Sequence, residues 1–148
     1  MKSIQAIMQN DHEHLDTLLL SVETALKNQD WQGAERLFAQ FRDRTVSTHM
    51  KTEEELLFPA FERWSQEADH PLTSLLRKGH QDLRVFFAEI EESLQQHDAE
   101  EFSDLLSTVK IILQQHDAKE ENELYPHLDA ALPGQMDIIR QRMDTVGE

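Results

Sequence analysis

The stretch His49-Met50-Lys51-Thr52-Glu53-Glu54-Glu55-Leu56-Leu57-Phe58-Pro59 decides the reading of this chain. It returns as His116-Asp117-Ala118-Lys119-Glu120-Glu121-Asn122-Glu123-Leu124-Tyr125-Pro126. Each copy holds a histidine, a glutamate four residues on and a Leu-aromatic-Pro close, at a constant offset of 67 residues. In a helix, residues i and i+4 stand one above the other on one face, about 6 Å apart along the axis. An imidazole and a carboxylate so placed reach one metal ion, or two neighbouring ones.

A second repeat lies upstream of each copy. Met8, His12, Leu15, Leu19, Val22 and Leu26 recur 68 residues later as Leu76, His80, Leu83, Phe87, Ile90 and Leu94. Steps of four and three mark the seam of an amphipathic helix that buries one stripe. Each seam is interrupted by one polar residue, a histidine, at the same place. The chain therefore reads as two helical hairpins, about 3–64 and 71–126, each contributing His, His and Glu.

Local signals set the helix limits. Ser3 caps a first helix that runs to about Asn28, and Asp30 caps the second. Pro59 disfavours helical geometry at Phe58, so the second helix bends or ends there. The polar run from Ser65 to Pro71 joins the hairpins. A third helix covers Leu72 to Gln96, with Gly79 implying close packing beside His80. The fourth starts around Ala99 to Ser103 and ends near Tyr125. After Pro133-Gly134, the tail 133–148 holds Met136, Ile139 and Met143 on a short closing helix, which packs on the bundle or forms a homodimer contact. Short connections make neighbouring helices antiparallel. The expected fold is all-α, an up-down-up-down four-helix bundle with a short C-terminal helix, in one domain spanning 1–148.

Composition narrows the function. Fourteen basic against 29 acidic residues leave a net charge of −15, which argues against nucleic-acid binding. With no cysteine, thiol chemistry, iron–sulfur clusters and Cys-based zinc sites are excluded. No signal-peptide pattern or membrane-length apolar run is present, so the expectation is a soluble cytoplasmic protein with no membrane partner.

In an antiparallel bundle His12 lies level with His49 and Glu53, and His80 with His116 and Glu120. A single histidine on an apolar face is more often a core imidazole bonded to a carbonyl. Four histidines and two glutamates buried at one level are different, because uncompensated ions there cost several kcal/mol each. Metal ions turn those acceptors into ligands. Imidazole and carboxylate without thiolate suit iron, manganese or zinc. Six ligands are too few for two separate octahedral ions. They suffice if both glutamates bridge the ions beside an oxo or hydroxo group, leaving each ion one open position for O2, peroxide or nitric oxide.

The residues resemble the hemerythrin-like, or HHE cation-binding, proteins from about His12 to Pro126. The likeness rests on Asp11-His12, His49 with Glu53-Glu54 and Leu57-Phe58-Pro59, His80, and His116 with Glu120-Glu121 and Leu124-Tyr125-Pro126. It implies a non-haem, oxo-bridged di-iron centre, with His12, His49, His80 and His116 as terminal ligands and Glu53 and Glu120 as bridges. Oxygen-carrying members place a further histidine where Arg84 stands, and an aspartate where Glu120 stands. The four-His, two-Glu set is more similar to bacterial members implicated in nitric-oxide response and iron-centre repair. Their cysteine-containing segment has no counterpart in this sequence. The first expectation is thus a module that binds or senses O2 or nitric oxide. The alternatives are an enzyme acting on peroxide or nitric oxide, and a structural or storage metal bundle.

The remaining polar residues have plainer expectations. Asp16, the repeat-mate of Arg84, is a charge at the bundle edge or else a hydrogen-bond partner or seventh ligand. His14 is a substitute ligand off the seam. His70, His97 and His127 belong to the surface, Tyr125 packs as an aromatic, and Glu54, Glu55, Glu121 and Glu123 face solvent.

Overall fold

The computed structural model describes residues 2–144. Its elements are α1 (Ile4–Lys27), α2 (Trp31–Asp43), α3 (Phe58–Ser65), α4 (Pro71–Gln95), α5 (Ala99–Lys119), α6 (Leu128–Ala131) and α7 (Met136–Asp144). π-Helical turns at Arg44–Met50 and Glu53–Leu57 join α2 to α3, and one at Glu120–Leu124 extends α5. Four rods result, in an all-α bundle with no strand among the described residues.

Starts and stops follow residue chemistry. Ser3, Asp30 and Asp98 each accept a hydrogen bond from the backbone N–H three residues on, satisfying a donor that has no partner within the helix. His70 does the same for Leu72 ahead of Pro71, whose fixed φ suits a first helical position. The rods end at Gln29, Gln66 and His97, which all take the left-handed conformation. Gln29 and His97 are repeat-mates, so both hairpins turn alike.

Pro59 does not end its rod. It sits in the first turn of α3, and the helix continues to Ser65. The preceding π turn explains this: the Phe58 N–H bonds to the Glu53 carbonyl, five residues back, and the wider turn makes room for the ring.

Two apolar clusters lie along the bundle. One gathers Leu15, Leu19, Phe38, Phe41, Leu83 and Phe87 with their neighbours. The other gathers Ile4, Met8, Leu57, Phe58, Leu76 and Leu124, and receives Ile139 and Met143 of α7. The closing helix therefore packs on its own bundle. The six polar residues that the two hairpins contribute, His12, His49, Glu53, His80, His116 and Glu120, form a belt between these clusters. No described helix is long and apolar enough to cross a membrane.

Phe87 meets both Phe38 and Phe41 edge-on, at centroid distances of 6.0 and 5.5 Å. Phe87→Ala should destabilise the protein by about 3–5 kcal/mol through lost burial and the cavity left behind. Chemical denaturation checks this, and a loss below about 1 kcal/mol would contradict the packing.

Candidate metal centre

The two seams converge on Glu53 and Glu120, both fully buried. Each carboxylate presents one oxygen to each pair of histidines. Glu53 Oε2 lies 3.5 Å from His49 Nε2, and its Oε1 lies 3.0 Å from His80 Nε2. Glu120 Oε1 lies 3.2 Å from His12 Nε2, and its Oε2 lies 3.4 Å from His116 Nε2. The imidazoles pair as His12 with His49 and His80 with His116, their ring centroids 4.8 and 5.0 Å apart. All six expected residues meet at one place.

Two groups of donor atoms there are close enough to hold an ion. They are Glu53, His80, His116 and Glu120, and His12, His49 and Glu120. Among the described residues Glu120 Oε2 is buried without a hydrogen-bond partner, His116 Nε2 at 3.4 Å making an ion-pair contact only. Such an acceptor is costly unless something unseen by hydrogen-bond geometry satisfies it, and a cation does so. The donor set, imidazole and carboxylate, fits a divalent or trivalent ion.

Carboxylates aim three of the rings. His12 Nδ1 lies 2.7 Å from Glu121 Oε2, His49 Nδ1 lies 2.8 Å from Asp11 Oδ2, and His80 Nδ1 lies 2.7 Å from Glu54 Oε2. With a proton on Nδ1 donated outward, the Nε2 lone pair of each ring faces the centre. Glu54 and Glu121 therefore do not stand free on a solvated face, because an imidazole draws each carboxylate back against the bundle. Arg44 holds Asp11 at 2.7 Å, and Arg84 holds Glu54 at 2.9 Å. Arg84 is thus a paired charge behind His80. Among the described residues Asp16 makes no comparable bond; it lines a cleft of about 700 Å³ between α1 and α5, with His12, Glu121 and Asp117.

His116 differs from the other three, having no carboxylate within reach of Nδ1 among the described residues. Its Nδ1 lies against Gly79, where an added Cβ would stand 2.7 Å away. Gly79 is the repeat-mate of Asp11, so the residue that aims His49 is replaced by an absence of side chain beside His116. The close packing inferred for Gly79 is against His116, not His80.

Two residues enter the centre unannounced. Asp117 Oδ1 reaches to 3.3 Å from His12 Nε2. Tyr125 is fully buried, and its hydroxyl donates to Glu53 at 2.6 Å. Helical spacing puts Tyr125 about 140° around from Glu120, whereas a π turn of about 4.4 residues brings it to roughly 50°. The Tyr125 N–H bonds to the Glu120 carbonyl in that π geometry, and the hydroxyl turns inward. No periodicity of the sequence signals this. The other histidines stay outside: His14 is exposed, His70 caps α4, and His97 and His127 stack on Trp31 and Trp64.

The profile of the hemerythrin HHE cation binding domain matches residues 3–128. The chain belongs to this hemerythrin family. No curated protein and no solved structure matches it. Membership makes it a helical metal-binding domain, and the buried His/Glu cluster fits that role.

In this hemerythrin-family centre the carboxylates around His12 and His80 favour the protonated rings. Burial disfavours a cationic His12, but the Glu120 hydrogen bond and the Asp117 carboxylate outweigh it and raise the group to about 9. His80 is raised to about 9 against the same burial by Glu53 and Glu54. Glu54 is lowered to about 2 by its bond to His80, with help from Arg84. Burial lifts Asp117 to about 7, assisted by Glu120. Two expectations follow.

A metal entering at pH 7 must displace the protons of His12 and His80, so uptake should release protons and tighten as pH rises toward 9. The stabilisation those protonated rings give the metal-free fold is complete below pH 6.5 and is lost as pH rises through 9. Calorimetry in buffers of different ionisation enthalpy reads the release; an affinity flat between these limits contradicts it. Separately, Gly79→Ala should gain about 1 kcal/mol of helix propensity yet lose metal, because the new methyl displaces His116. Metal analysis decides, and full occupancy in the variant would be the contrary result.

Proposed function

We propose that this hemerythrin-family chain holds two non-haem iron ions and takes up a small diatomic ligand, O2 or nitric oxide. His12 and His49 would hold one ion and His80 and His116 the other, with Glu53, Glu120 and an oxo or hydroxo group between them. The observation that carries this reading is the placement of the glutamates, each with one oxygen toward each histidine pair. When bound, the iron pair supplies the electrons and open coordination that a diatomic ligand needs.

The chain's own contribution is enclosure. A cavity of about 20 Å³ adjoins the donors and is walled by Leu15, Phe41, Met50, Leu83 and Leu113. That is room for roughly one water-sized guest and for nothing larger, and Thr45, Asp16 and Asp117 add polar groups to its wall. The Nδ1 bonds to Asp11, Glu54 and Glu121 keep the rings from turning as a guest enters. An enzyme acting on peroxide or nitric oxide is the second reading. It is favoured by Asp117, a carboxyl beside His12 that opens onto the α1–α5 cleft and can carry a proton there.

Iron-loaded protein should absorb in the near ultraviolet and respond to O2, peroxide or nitric oxide. His49→Ala and Glu120→Ala should lower iron content severalfold, and His97→Ala should leave it unchanged. Equal iron in all three variants would remove the site assignment. Loss of peroxide or nitric oxide beyond one equivalent selects the enzyme, and a colourless protein holding only zinc selects a structural or storage role.

A further inference from the structure

We infer that Tyr125 is a metal ligand, its phenolate oxygen joining His12, His49, Glu53 and Glu120 on one of the two ions and leaving the other without a counterpart. The inference rests on the proposed metal pair and specifies how its two halves differ.

The geometry around the hydroxyl carries it. Tyr125 Oη lies 2.6 Å from Glu53 Oε2, 3.0 Å from Glu120 Oε1, 3.1 Å from His49 Nε2 and 3.2 Å from His12 Nε2. A phenol donates one proton and accepts from two donors, so hydrogen bonding accounts for Glu53 and the two imidazoles but leaves Glu120 Oε1, at 3.0 Å, without a proton between the two oxygens. Ligation accounts for all four. Two donors in adjacent positions of a six-coordinate ion with bonds near 2.1 Å stand about 3.0 Å apart. All four neighbours of Oη lie close to that separation, and they are the four donors that face the His12–His49 side. The phenol is fully buried, so no water competes for the position.

The repeat supplies an internal comparison. Tyr125 and Phe58 are repeat-mates, each five residues beyond a bridging glutamate and each closing a π turn. The Tyr125 ring lies 5.4 Å from the His12 ring at 32°, and the Phe58 ring lies 5.4 Å from the His80 ring at 29°. The two rings are placed alike, and one of them carries an oxygen. Tyr125 thus gives the His12–His49 side a donor that the His80–His116 side lacks. An incoming diatomic ligand is thereby directed to the His80–His116 side. On ligation the phenol gives its proton to solvent, and no electron is transferred.

Ferric-loaded protein should show a visible phenolate-to-iron band, and resonance Raman excitation within it should enhance tyrosinate ring modes. Tyr125 is the chain's sole tyrosine, so the modes report on it alone. Tyr125→Phe should keep iron content and helical circular dichroism within about 20% while losing band and modes. Wild-type protein with two irons and no such band overturns the inference and leaves the metal pair standing, since a tyrosine serving only as a hydrogen-bond donor gives none. A band that survives in Tyr125→Phe overturns it also. Wild-type protein that takes up no iron overturns both.

Discussion

Two carboxylates without solvent access, Glu53 and Glu120, govern this structure. Left unpaired in an apolar bundle they would each cost several kcal/mol, enough to cancel much of a small domain's stability. Four imidazole nitrogens at 3.0 to 3.5 Å answer them, one to each oxygen, although the contact of His116 with Glu120 Oε2 is not a hydrogen bond. The bundle supports that arrangement on both sides. Phenylalanine and leucine clusters close the belt from one end, and the other end is closed by a second cluster that includes α7. Stability and site are therefore not separable: whatever neutralises the belt also holds the rods in register.

The duplication builds a near-symmetric frame, and single residues then break its symmetry. Asp11 stands behind His49, and Gly79 beside His116. Glu54 is neutralised by Arg84, whereas Glu121 has Asp16, another acid, as the repeat-mate of that arginine. Asp117 adds a carboxylate beside His12, where its repeat-mate Met50 is apolar. Most of the extra negative charge falls on the α1–α5 side, where the wide cleft opens. A symmetric scaffold with an asymmetric lining can hold two similar ions and still treat their exposed faces differently.

Much of this is legible in the sequence, and the exceptions share a physical cause. The four rods, their caps and the six seam residues follow from a 3.6-residue period and from polar interruptions of an apolar stripe. The residues that a helical wheel misplaces are those near π turns or on long side chains. Tyr125 lies off the seam by ordinary helical counting, and the wider turn at Glu120–Leu124 brings it back. Glu54 and Glu121 project outward at Cα, but their carboxylates reach back to an imidazole on another rod, which a pattern within one helix cannot express. Gly79 is conspicuous in the sequence, yet the ring it accommodates lies on a different helix.

Crystallography of iron-soaked protein with anomalous scattering at the iron edge tests the central claim most directly. The account predicts two anomalous peaks between Glu53 and Glu120, one flanked by His12 and His49 and the other by His80 and His116. No peak in the belt, or a single peak bound by surface carboxylates away from both glutamates, would contradict it.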